Sequence, residues 1–122
     1  LGDGATAVLR AERAMRLSPR DPFAFRHEHM LSQAHYINGN FEAAVEWGER
    51  AARHNQRMTS NLRTLTAALV AVGRVERARE VAAQLMAVEP GFRIGPWSTR
   101  TPLTGALLER FAARLREAGL RD

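Results

Sequence analysis

Apolar residues recur along this chain at steps of three and four, the period of a helix that buries one face. Leu31, Ala34, His35 and Asn38 share such a face, Gly39 interrupts it, and Phe41, Ala44, Gly48 and Ala51 resume it. The same succession returns as Leu62, Leu65, Ala68, Leu69 and Val72, then Gly73, then Val75, Ala78, Ala82 and Leu85. The pattern predicts two helical hairpins, with helices over 22–38 and 41–54, and over 60–72 and 75–88. Gly39 and Gly73 mark the turns, where a positive φ costs glycine little. Asn40 is the N-cap candidate for the helix after Gly39, and Thr59 or Ser60 for the helix at 60. The small residues at 44, 48 and 51 predict close approach of neighbouring helices.

The flanks carry their own signals. Residues 5–17 have Ala7, Leu9, Ala11, Ala14 and Leu17 available for burial on a further helix. Ser18-Pro19 stops it, and Asp21 with Pro22 starts the next. Glu89-Pro90-Gly91 breaks the helix over 75–88. Residues 91–103, GFRIGPWSTRTPL, show no helical period and predict an irregular loop, which at that length needs a reason. Thr104 to Ala118 forms an amphipathic helix with Leu107, Leu108, Phe111 and Leu115 on one side and Gly119 as its stop. It is expected to cap the hairpin of 60–88, burying Leu107, Phe111 and Leu115. The sum is an all-α chain of six helices without strands.

The two hairpins repeat each other. Leu31 and Leu65, Ala34 and Ala68, Gly39 and Gly73, Glu42 and Glu76, Ala44 and Ala78, and Glu46 and Glu80 are each 34 positions apart. That period, with Leu31, Ser32, Gly39, Phe41, Ala44, Gly48 and Ala51 in one copy and Leu62, Leu65, Thr66, Gly73, Ala78, Ala82 and Pro90 in the other, resembles the tetratricopeptide repeat family. The chain departs from the family pattern at Glu28, His35, Gln56, Leu69, Val75 and Leu85. The resemblance implies antiparallel hairpins in a short right-handed solenoid forming a single domain: a partial repeat over 5–19, repeats over 22–56 and 59–90, the loop 91–103 and a capping helix over 104–118. The succession AHYINGNFEAAVEWGERAARHN, EPGFRI and ERFAARLREAGL is also similar to the C-terminal repeats of some bacterial class III adenylate/guanylate cyclases and winged-helix transcriptional regulators. This implies a piece of a longer protein, serving an upstream signalling domain. No cyclase catalytic motif lies in these residues.

Composition narrows the chemistry. The net charge is +5 and all eighteen basic residues are Arg, but acidic residues are interspersed, so no nucleic-acid tract stands out. There is no Cys, hence no disulfide or thiolate metal site. The longest apolar run, Ala67 to Val72, is far too short for a membrane span. With no signal-like N-terminus either, a cytoplasmic location is expected. His27, His29 and His35 lack the i, i+4 spacing of helical zinc sites, so no metal or cofactor is expected. Glu42, Glu46 and Glu49 read as a solvated face, with Glu46–Arg50 and Glu49–Arg53 pairs. No catalytic residue is expected.

The resemblance places a partner-binding face on the first helix of each hairpin, with Arg26, His29, Gln33 and Tyr36 from one and Ser60, Arg63, Ala67 and Val70 from the other. The family's carboxylate clamp is incomplete, since His29 and Arg63 stand at its Lys positions and Gln33 and Ala67 at its Asn positions. The expected function is a protein-interaction or self-association module holding an acidic or polar partner segment, with Arg26, Arg63 and Tyr36 as principal contacts. Tight binding by so few repeats would need a longer array or a second copy. A small-molecule-sensing domain is the first alternative, to be marked by an enclosed pocket with convergent polar groups. Electrostatic nucleic-acid binding is the second, and would require Arg gathered on one face.

Overall fold

The computed structural model describes residues 24–122 together with Leu9. Among them there are six helices and no strand: α1 Ala24–Ile37, α2 Phe41–His54, α3 Thr59–Ala71, α4 Val75–Val88, α5 Ile94–Ser98 and α6 Gly105–Glu117. The expected helix over 5–17 and its junction to 22 fall outside the described residues, apart from Leu9, which is exposed rather than buried.

The repetition seen in the sequence is reproduced bond by bond. Gly39 and Gly73 have φ of 82° and 84°. Around them, Gly39 N–H bonds to Tyr36 O and Asn40 N–H to His35 O; 34 residues on, Gly73 bonds to Val70 and Arg74 to Leu69. These turns satisfy carbonyls that the ends of α1 and α3 would otherwise leave open. Each hairpin packs its two helices together, α1 on α2 and α3 on α4, and α2 packs on α3 to join the hairpins. Asn40 and Met58 occupy the N-cap positions of α2 and α3, and neither helix has a side-chain cap bond. Asn40 therefore does not cap as expected, and Thr59 is the first residue of α3 rather than its cap.

Close packing at the hairpin junction depends on Gly48. A Cβ built there would lie 3.1 Å from both Leu65 Cδ1 and Ser32 Oγ, so α2 is wedged between α1 and α3. Ser32 donates to Ala44 O at 2.7 Å, and Asn61 donates through Nδ2 to Gly48 O at 3.0 Å. Outside this seam, surface ion pairs tie the hairpins. Arg74 reaches Glu42, and Arg77 holds Glu49 with two bonds of 2.8 and 3.0 Å. Glu46 pairs with Arg50 as expected, but Glu49 reaches across to α4 instead of pairing with Arg53. The bidentate fit of Arg77 is stronger than a single contact along one helix.

The C-terminal segment departs most from expectation. The loop of 91–103 contains α5, whose Ile94 and Trp97 are buried. Ile94 N–H bonds to Arg121 O, tying α5 to the tail after α6. Helix α6 docks on α3 and reaches the first hairpin: the Phe111 ring meets Tyr36 edge-on at 5.2 Å and lies 5.3 Å from Trp97. Arg114 donates to the Tyr36 hydroxyl at 2.7 Å and stands 4.6 Å from the Phe41 ring. Phe111 and Leu115 are buried as expected, while Leu107 is only half-buried. The reason is direction. The helix packs on α3 and turns its Phe111 and Arg114 toward Tyr36 at the end of α1, rather than seating on the 60–88 hairpin alone.

Two stability outcomes follow from this packing. Gly48→Ala gains up to about 1 kcal/mol of helix propensity but overpacks a seam with no slack, for a net loss of about 1 kcal/mol by chemical denaturation. Phe111→Ala should cost about 3–5 kcal/mol, since the ring is buried on two aromatic neighbours. A Phe111→Ala chain as stable as the parent would show that α6 is not anchored here.

Candidate functional site

The face of α1 and α3 assigned to partner binding is partly covered by the chain itself. Tyr36 is only 3% exposed, closed in by Phe41, Phe111 and Arg114. Ala67 is fully buried and Val70 nearly so. Burial raises the pKa of the Tyr36 hydroxyl, and the Arg114 bond opposes that shift. His29 is buried too, with Nδ1 facing Asn61 Oδ1 at 3.3 Å. Because the Asn61 amide donates to Gly48 O, its oxygen is left to accept, which fixes the His29 proton on Nδ1. Burial lowers the His29 pKa; the Asn61 bond opposes this and the positive charge of Arg63 adds to it. Arg26 is exposed at the surface and stands 5.8 Å from the Phe25 ring. Four of the eight expected contacts, His29, Tyr36, Ala67 and Val70, are thus packed into the molecule.

What remains open is a half-enclosed cleft of about 420 Å³. It brings together Gln33, Tyr36, Ser60 and Arg63 from the expected set. Its other walls come from the C-terminal segment: Trp97, Arg100, Thr101, Pro102, Leu103 and Phe111. Glu89, at the end of α4, completes the charged lining. The sequence had singled out Phe111 as a buried residue of the capping helix, but did not place it beside Tyr36. Arg100 carried no signal, because nothing in the pattern folds 97–103 back over α1.

Arg63 is the central side chain of the cleft. Its side chain is 17% exposed, and its nearest acid is Glu89, at 3.8 Å. Its guanidinium carbon lies 5.7 Å from the ring centroids of both Phe92 and Trp97. Burial pulls the Arg63 pKa down from its ordinary value, Glu89 opposes that, and Arg100 adds repulsion. Arg63 and Arg100 against Glu89 leave the cleft with a net positive charge. The histidines do not converge, since His54 pairs with buried Glu28 while His29 faces Asn61. Among the described residues no group of three or more His, Cys, Asp or Glu is placed to hold a metal ion.

The other charged surface has a different character. Glu42, Glu46, Glu49, Arg50, Arg53 and Arg74 line a shallow hollow on α2 and α4, where most of them are already ion-paired. Among the described residues no helix is long and apolar enough to cross a membrane. Comparison with models of known protein families and with curated proteins finds no match for the chain.

Burial of His29 has a pH consequence. Its folded pKa lies below the unfolded value of about 6.5. Below that pH the unfolded chain takes up a proton that the folded chain resists, so this residue's contribution to stability is intact above about pH 6.5 and is lost as pH falls toward the folded value. Denaturation midpoints measured between pH 7.5 and pH 5 should therefore fall less steeply in His29→Gln than in the parent. Parallel slopes would mean that His29 titrates normally.

Proposed function

We propose that this chain is a tetratricopeptide-type interaction module that docks an acidic segment of a partner protein at the cleft between the α1 and α3 face and the C-terminal segment. The observation that carries the reading is the pair Arg63 and Arg100, facing a half-enclosed cleft with Glu89 as its acidic member. Arg presents donors in a fork that matches carboxylates, and the nearby rings offer apolar surface to whatever flanks the acid. The hairpins repeating at 34 residues support the family assignment. A binding rather than catalytic role is supported by Glu42, Glu46 and Glu49, whose carboxylates are committed to surface ion pairs with Arg. In this reading the partner belongs to a signalling protein, and an upstream domain of the same protein is the first candidate.

Charge reversal at Arg63 would set a second carboxylate against Glu89 and withdraw a cation from Phe92 and Trp97. Arg63→Glu would thus lower stability as well as binding. Arg100 is exposed and holds no ion pair or hydrogen bond through its side chain among the described residues. Arg100→Glu should weaken binding of the candidate partner about tenfold in calorimetry with an unchanged melting temperature. Arg79→Glu, on the exposed side of α4, should bind like the parent. Equal binding by Arg100→Glu and the parent would remove the cleft as the docking site.

A further inference from the structure

The cleft has features that docking of a polypeptide segment does not require. It is half-enclosed, and its volume of about 420 Å³ lies at the lower end of the range of about 300–1,000 Å³ for small-molecule sites.

The recognition groups inside are also sharply divided. One part of the lining is flat and apolar, supplied by Tyr36, Trp97, Phe111 and Leu103. The other is cationic, and Arg63 is the joint between them, because its guanidinium lies against the Phe92 and Trp97 rings. Among the described residues the side chain donates no hydrogen bond, and its nearest acid stands at 3.8 Å. A guanidinium carries five N–H donors in a planar fork, so those of Arg63 can be offered to an anion in the cleft. Two cations against one carboxylate leave one positive charge to neutralise, which suits a monoanion better than a polyanion.

We propose that the cleft is a binding site for a small organic monocarboxylate carrying a flat apolar group, with the carboxylate held by Arg63 and Arg100 and the apolar group against Trp97, Phe111 and Leu103. The inference rests on the cleft being this protein's binding site and assigns it a free small molecule as ligand. The carboxylate accepts paired hydrogen bonds from the Arg63 fork. Arg100 supplies the second charge from the rim. A bound acid would also brace the C-terminal segment against α1 and α3, because its two halves touch both sides of the cleft.

The test uses 3-phenylpropionate, its neutral amide and acetate, added to the 122-residue chain and followed by two-dimensional NMR. The two tryptophans, Trp47 and Trp97, provide an internal control in their indole N–H signals. The acid should move the Trp97 indole and the Arg63 and Arg100 amides at concentrations of about 1 mM or less, and leave Trp47 unmoved. The amide and acetate should each bind about tenfold more weakly, since each lacks one of the two recognised parts. Arg100→Gln should weaken the acid roughly threefold or more, as expected for a rim charge. Arg63→Lys keeps the charge without the fork and should weaken it further. Equal binding of acid and amide, shifts confined to other surfaces, or no shift with the acid would overturn the inference. If the free acid fails while an acidic partner segment still binds through Arg100, the small-molecule assignment falls and the docking reading stands. If the acid binds and partner binding is indifferent to Arg100→Glu, the docking reading falls instead.

Discussion

Helix α3 is buried on nearly every side, and the arrangement of the molecule follows from what that burial demands. Nine of its thirteen residues are buried, and α1, α2, α4 and α6 all pack against it. On a helix so enclosed, each fully buried polar side chain must find a partner inside. Thr64 and Thr66 bond back to carbonyls of the preceding turn, Ser60 O and Leu62 O. Asn61 bonds outward, to Gly48 O on α2 and to His29 on α1. That one amide ties three helices, and it does so where Gly48 lets backbones approach closely.

The same enclosure produces the cleft. Arg63 lies on α3 as well, two residues from Asn61, with its side chain only 17% exposed. The aromatic residues of the C-terminal segment close around it, with Trp97 and Phe92 against the guanidinium and Phe111 against Tyr36. Cation and ring surface therefore come to lie side by side. A long cation is most easily part-buried when its stem and plane rest on apolar groups. The cleft is what remains between this aromatic wall, the end of α1 and the start of α3.

Functional reading turns on that closure. On an open solenoid face, Tyr36, Ala67 and Val70 would meet a partner; here they belong to the core, and Phe111 and Arg114 fill the place beside Tyr36. The chain supplies part of the occupant of its own face. In the proposed reading, recognition moves from the middle of that face to its edge, where Arg63, Arg100, Gln33 and Ser60 line the cleft. Surface ion pairs such as Arg77 with Glu49 link α2 to α4 and are individually small contributions.

The hairpins were legible in the sequence because their determinants are local and repeated. Helical spacing sets α1 to α4 to within about two residues, and Gly39 and Gly73 mark turns whose backbone needs a positive φ. The small residue at 48 announced a close approach, although not that Leu65 and Ser32 would be the neighbours. The C-terminal helix was legible as amphipathic, with Phe111 and Leu115 buried. Its destination was not, because one apolar stripe fits several surfaces equally well in a sequence pattern. Only contacts between residues far apart in the chain decided it: Arg114 with Tyr36, Phe111 with Tyr36, Ile94 with Arg121. The candidate site divides in the same way. Register pointed to Gln33, Tyr36, Ser60 and Arg63, since position on a helix is a local property. Burial of His29, Ala67 and Val70, and the arrival of Trp97 and Arg100, depend on where the chain returns, and that is settled by tertiary packing.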